Sequence, residues 1–163
     1  SFPKSSQFSG FTKDCANFKV SSDIHNLSVV NPPLEVAEQL KISPNSFTYY
    51  ICRTRLIDNR PVVVEYTYMP IDIISGITLD VIKGSIYDYI EHKLKLKIKS
   101  AHRTARASMP TDEERKWLNI SDENFVPIFE VEQIAYLDDG RIFEYSKSRH
   151  RADFFELKSV SVR

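Results

Sequence analysis

The chain has 163 residues with 22 Lys+Arg and 22 Asp+Glu, so its formal charge at pH 7 is zero, and it lacks the basic excess of a self-sufficient nucleic-acid binder. Hydrophobic residues make up 42% and charged residues 27%, with 4 Gly and 8 Pro, which excludes a disordered or fibrous chain and fits one domain around one core. The longest apolar runs, such as Tyr49 to Cys52 and Pro61 to Val64, are far short of the roughly 18 residues of a membrane helix.

Cys15 and Cys52 fit neither a zinc spacing nor a disulfide framework, so they read as plain thiols in a reducing, cytoplasmic setting. The first residue is Ser, with no signal-peptide pattern after it. The expectation is a fragment whose N-terminal part carries the other half of the function.

Residues 1–22 are rich in Ser, Lys and Phe without a sustained period, which predicts a linker or arm. Phe2, Phe8, Phe11 and Phe18 predict that part of it packs on the domain proper, residues 23–163. Asp23 to Val30 reads as a weak strand ending at Asn31-Pro32-Pro33, and Leu34, Val36, Ala37 and Leu40 then recur at helical spacing. Phe47 to Ile57 and Val62 to Met69 form the clearest hairpin, with a three-residue loop expected over Asp58 to Arg60.

Gly84-Ser85 opens a short helix with Ile86, Tyr89 and Ile90 on one face, and Lys97 to Ala107 reads as a strand. Lys93, Lys95, Lys97 and Lys99 alternate with apolar residues, the pattern of a solvated edge. Pro110-Thr111-Asp112-Glu113-Glu114 starts a helix that Trp117-Leu118 closes. A second hairpin runs from Val126 to Leu137 and Ile142 to Ser148 around Asp138-Asp139-Gly140, and a last strand is expected over Phe154 to Val162. Long hairpin-linked strands with short helices between them predict an α+β domain on an antiparallel sheet.

Arg53 and Arg55 lie two apart on a predicted strand and so share a face with Tyr49 and Ile51. They are either structural ion pairs or a wall for an anion, because guanidinium forks match phosphate and carboxylate. The three-residue loop would set Arg53 opposite Glu65, which then either pairs with it permanently or reads the hydroxyls of a polar ligand. Ser85 at a helix start is either a cap or an anion contact. His25, His92, His102 and His150 lack a close metal-ligand spacing, and no nucleophile elbow, P-loop or zinc-protease motif is present.

Several stretches carry a family likeness in order: Gly10-Phe11-Thr12-Lys13-Asp14, Arg53-Thr-Arg55 before Pro61, Glu65, Tyr68-Met-Pro70, Gly84-Ser85-Ile-Tyr87, Ala101 and Ala107, Phe143-Glu144-Tyr145 and Arg151-Ala-Asp153. The set resembles the UTRA domain, the effector-binding half of HutC-type GntR transcription regulators, over nearly the whole chain. The resemblance implies a chorismate lyase-like fold, a homodimer, and DNA contact only through a winged helix-turn-helix absent from this chain. By the same resemblance, Phe11, Thr12, Arg53, Arg55 and Ser85 hold a phosphate, while Glu65, Tyr87, Glu144 and His150 face a sugar.

Lys13 stands where the family often has an acidic residue, and His150 where its amino-sugar-phosphate sensors commonly have Tyr. The run from Glu144 to Asp153 is similar to the trehalose-operon repressors of the family, so a disaccharide phosphate is an equal expectation, with position 150 part of the discrimination. The implied function is a sensing and dimerisation domain for a phosphorylated sugar, without chemistry on the ligand. The competing readings are a chorismate lyase-like enzyme, with Glu65 as acid or base, and a dimerisation module without an effector.

Overall fold

A computed structural model describes residues 15, 17–157 and 160–163. Its scaffold is one six-stranded sheet in the order β1-β2-β3-β6-β5-β4, with every paired neighbour antiparallel. The strands are β1 Val20–Val30, β2 Thr48–Ile57, β3 Arg60–Pro70, β4 Ile98–Ser108, β5 Ile128–Leu137 and β6 Ile142–Arg151. The chain therefore lays down two three-stranded meanders, β1-β2-β3 and β4-β5-β6, which meet where β3 pairs with β6 from Val63–His150 to Tyr68–Tyr145. This is the expected antiparallel α+β architecture, with both hairpins in place.

Short helices cover both faces of the sheet: α1 Leu34–Leu40, α2 Leu79–Lys83, α3 Ile86–Asp88 and α4 Asp112–Trp117. On one face Ile74, Ile82, Ile86 and Ile90 from the segment between the meanders pack on Ile51, Met69 and Phe143. On the other, Leu118 and Ile120 beyond α4 pack on Cys52, Val64 and Ile128, while α1 packs on Ile142 and Tyr145. Burying each such side chain contributes about 1.5–3 kcal/mol. The sheet is thus fixed between two apolar layers, and polar residues within it stand out.

Thr111 caps α4 as its sequence suggests: its Oγ1 accepts from the Glu114 amide at 3.1 Å, and Glu114 Oε1 accepts from the Thr111 amide at 3.0 Å. The other carboxylate oxygen of Glu114 accepts from Tyr66 Oη at 2.7 Å and Arg149 Nε at 2.8 Å. A carboxylate only 1% exposed is thereby satisfied on both oxygens and ties the helix to the sheet.

Three local expectations are corrected. β1 begins at Val20, which pairs with Ile57, so Val20, Ser21 and Ser22 of the expected lead-in belong to the sheet. The β2–β3 loop is the two-residue turn Asp58-Asn59, with φ of 49° and 65°, the left-handed pair that joins twisted strands tightly. No strand follows Arg151 among the described residues. A 3-10 turn, Ala152–Phe154, leads away from the sheet, and Val160 and Val162 are 91% and 93% exposed, so their alternation meets no partner surface.

The lysine run behaves as a solvated edge, with Lys93, Lys95, Lys97 and Lys99 exposed and the intervening Leu94, Leu96 and Ile98 half-buried. Cys15 and Cys52 are buried and form no disulfide, and burial pushes the Cys52 thiol up to about 11. No helix among the described residues is long and apolar enough to cross a membrane.

Candidate functional site

Alternation along β2 places Tyr49, Ile51, Arg53 and Arg55 on one face. Arg53 and Arg55 are only 6% and 2% exposed. Arg53 donates through Nε to Glu65 Oε1 at 3.0 Å and through one terminal nitrogen to the carbonyls of Ile82 at 2.7 Å and Gly84 at 3.1 Å, where α2 ends. Arg55 lies 3.5 Å from the same Glu65 oxygen. Two buried cations thus stand side by side and turn to one carboxylate.

Glu65 is directly opposite Arg53, but not by the expected loop. Between the pairs Arg55–Val63 and Leu56–Pro61 one extra residue, Val62, bulges from β3. The bulge supplies the one-residue offset that the tight turn withholds, and this keeps Glu65 on the face of the arginines. Burial favours the neutral carboxyl of Glu65, but the charges of Arg53 and Arg55 outweigh it and hold the group below the usual carboxylate range. Burial and then the charge of Arg53 pull the Arg55 guanidinium down to about 10, which leaves it protonated at neutral pH.

A second cluster forms on the same side of the sheet. Tyr87 on α3 donates its hydroxyl to Glu144 Oε1 on β6 at 2.9 Å, and Ser146 Oγ lies 3.4 Å from that oxygen. Burial raises the Glu144 carboxyl, with donors from Gln133 and Tyr87 acting against it; it also feels the charges of Glu65 and Arg53. Tyr87 is pushed well above its ordinary value by burial and by Glu144. Ser85 caps α3, its Oγ accepting from the Asp88 amide at 3.2 Å, and the preceding Gly84 carbonyl meets Arg53.

His150 pairs across the sheet with Val63 and Phe129, and its ring lies 4.3 Å from that of Phe155. Burial lowers it to about 4, against the opposing charge of Glu65, so it is neutral at physiological pH. Arg53, Arg55, Glu65, Tyr87, Glu144 and His150 are therefore brought to one side of the sheet, with Ser85 at its border. Phe11 and Thr12 lie outside the described residues.

Sequence reasoning missed Gln133, whose amide nitrogen reaches both Glu144 Oε1 at 2.7 Å and Tyr87 Oη at 2.9 Å. The available signal was its place between Val131 and Ala135 on the inward alternation of β5. It also missed Phe155, which stacks on Phe129 at 4.5 Å and covers His150. A separate cleft of about 450 Å³ opens on the opposite face, between Trp117, His25, Tyr50 and Tyr66, and includes none of the expected residues.

Two buried guanidiniums, a carboxylate between them and a second, hydroxyl-bonded carboxylate along the same face can grip an anion and read neighbouring hydroxyls. Comparison with known proteins agrees with a sensing role. Residues 16–156 match the model of the UTRA domain. The chain is 39% identical over 159 residues to the HTH-type transcriptional regulator GmuR of Bacillus subtilis; the match covers 98% of this chain but only 66% of that protein, just under two thirds of its length.

Among solved structures, a GntR-family transcriptional regulator from Bacillus cereus aligns with a TM-score of 0.76 and 38% identity over 88% of this chain and 99% of that one. The effector-binding domain of the B. subtilis trehalose repressor TreR aligns with a TM-score of 0.75 and 27% identity over 88% of this chain and 98% of that one. These relatives are transcriptional regulators rather than enzymes, which sets aside the lyase-like alternative. The chain belongs to the UTRA family, the effector-binding domain of HutC-type GntR transcriptional regulators.

Proposed function

We propose that this domain senses a phosphorylated sugar in the cytoplasm, works as a homodimer, and passes occupancy to a winged helix-turn-helix elsewhere in the whole protein. Arg53 and Arg55 take the phosphate together with Ser85, Phe11 and Thr12, while Glu65, Tyr87, Glu144 and His150 face the sugar. The observation that carries this reading is the pair of buried, mutually repelling guanidiniums on β2. An anion beside them relieves that repulsion and gains charge-assisted hydrogen bonds.

Similarity to a trehalose repressor supports a disaccharide phosphate as readily as a monosaccharide phosphate. The mechanism is linkage: the effector binds one arrangement of the dimer better than another, and that difference shifts the spacing of the attached DNA-binding units. No bond of the effector is made or broken.

Arg53 is already held by Glu65 and two carbonyls, an arrangement that also suits a purely structural part in an effector-free dimerisation module. Arg55, the second guanidinium of the pair, is the position at which the two readings are tested. Titration calorimetry with glucose 6-phosphate and trehalose 6-phosphate should show binding of at least one of them, weakened roughly ten- to hundredfold in Arg55→Ala, the equivalent of about 1.5–3 kcal/mol. Absence of binding by either compound, or equal affinity in the variant, overturns the reading.

A further inference from the structure

Glu144 receives its hydrogen bonds on one oxygen. Gln133 Nε2 at 2.7 Å, Tyr87 Oη at 2.9 Å and Ser146 Oγ at 3.4 Å all converge on Oε1. The Gln133 amide presents its nitrogen to this group because its oxygen is occupied on the other side, where Arg103 Nε donates to it at 2.8 Å. An arginine nitrogen can only donate, so Arg103 dictates which way the amide points. Arg103 itself lies exposed on the edge strand β4, directly across from Gln133.

We infer that Gln133, oriented by Arg103, is a positioning residue that holds Glu144 as an ionised acceptor and aims its second oxygen at the bound molecule. The inference rests on the sensing role proposed above for Glu144. Loss of the Gln133 donor shifts this buried carboxyl further toward its protonated form, which donates where the ionised form accepts and so reads a different hydroxyl pattern.

The surroundings of Glu144 make this balance sensitive. Glu65 on β3 pushes toward the protonated form, Arg53 on β2 pulls the other way, and Tyr87 on α3 donates to the ionised group. Gln133 on β5 supplies the shortest of the contacts to Oε1 and is hydrogen-bonded to Arg103 at the sheet edge, whose charge Tyr87 also feels. Cross-strand pairing puts Gln133 on β5 and the exposed Arg103 on the edge strand β4 on the same face, which joins the buried group to a solvent-exposed charge.

The test reads Glu144 without any ligand. In protein carrying carbon-13 at glutamate side-chain carboxyls, Glu144 is assigned by comparison with Glu144→Gln and titrated by NMR in wild type, Gln133→Leu and Arg103→Met. The titration midpoint of Glu144 should rise by about one pH unit or more in Gln133→Leu and by a smaller but measurable step in Arg103→Met, which removes the guanidinium that donates to Gln133. Gln133→Glu provides a second variant at the same position should the leucine fail to fold, and it should raise the midpoint through like-charge repulsion.

An unmoved midpoint in Gln133→Leu, or no change in Arg103→Met while the fold is intact, overturns the relay. Calorimetry with glucose 6-phosphate on the same samples then separates the two ideas. A shifted midpoint without sugar-phosphate binding in wild type supports the relay and counts against the sensing role, whereas binding with an unmoved midpoint does the reverse.

Discussion

Arg53 faces Glu65 across β2 and β3 because Val62 bulges out of the ladder between them and the turn. The bulge makes their contact at 3.0 Å possible, and the pair in turn holds the charge that Arg55 shares. Removing Glu65 should leave two buried cations without that carboxylate. Glu65→Leu should lose about 3 kcal/mol of stability, and part of that loss should return in the double variant Glu65→Leu/Arg55→Met. Urea unfolding at pH 7 of the single and double variants gives the coupling directly; strict additivity would contradict the shared-carboxylate arrangement.

His150 should make stability fall in mild acid. Its folded value is lowered from 6.5 to about 4, so the neutral form is favoured by folding. The sign follows from linkage: the contribution is full above pH 6.5 and is lost as pH falls toward 4, by at most about 3 kcal/mol. Glu65, held below its ordinary value of 4.5, adds a loss in the same direction at still lower pH. Denaturant midpoints measured between pH 7 and 4 should slope downward in wild type and much less in His150→Phe.

Gly76 should resist substitution more than Gly140. Both have positive φ, 75° and 88°, but a Cβ at Gly76 would come 2.5 Å from Tyr89 Oη, whereas nothing lies within 4 Å of one at Gly140. Tyr89 uses that hydroxyl to donate to the Ser75 carbonyl at 2.6 Å. Gly140→Ala should therefore lose about 1 kcal/mol from backbone conformation alone, and Gly76→Ala about 2–4 kcal/mol once the displaced tyrosine is included. Thermal unfolding of the two variants side by side tests the order.

The cap of α4 offers a smaller, cleaner effect. Thr111→Ala removes one half of the box and should destabilise the domain by about 1 kcal/mol, while Thr111→Ser should be nearly neutral. Equal losses in both would mean that the hydroxyl contributes little there.

Local chemistry made much of this architecture legible. Thr111 and Glu114 mark a helix start, Asp138-Asp139-Gly140 announces a turn, and the alternation of β2 puts Arg53 and Arg55 on one face, while Glu144 and His150 are marked only by the family likeness. The Val62 bulge was not legible, because whether a strand bulges depends on competition between turn geometry and the burial of residues on two strands. The expected strand over Phe154 to Val162 failed for a related reason. Phe154 lies in a 3-10 turn, with the guanidiniums of Arg60 and Arg151 over its ring at 4.5 and 4.4 Å and with Ile57, Val62 and Val63 packed against it, so side-chain packing rather than ladder pairing places it. Gln133 carried a signal, a lone amide on an inward row, but its meaning appears only once Arg103 and Glu144 are brought to either side of it.

The two meanders divide the proposed site between them. Arg53, Arg55 and Glu65 belong to the first, while Gln133, Glu144 and His150 belong to the second, and the covering segment with Ser85 and Tyr87 bridges the gap. In the proposed sensing role, a molecule gripped on one side and recognised on the other would straddle their seam like a rivet through two plates, and its occupancy would set the alignment of the two halves.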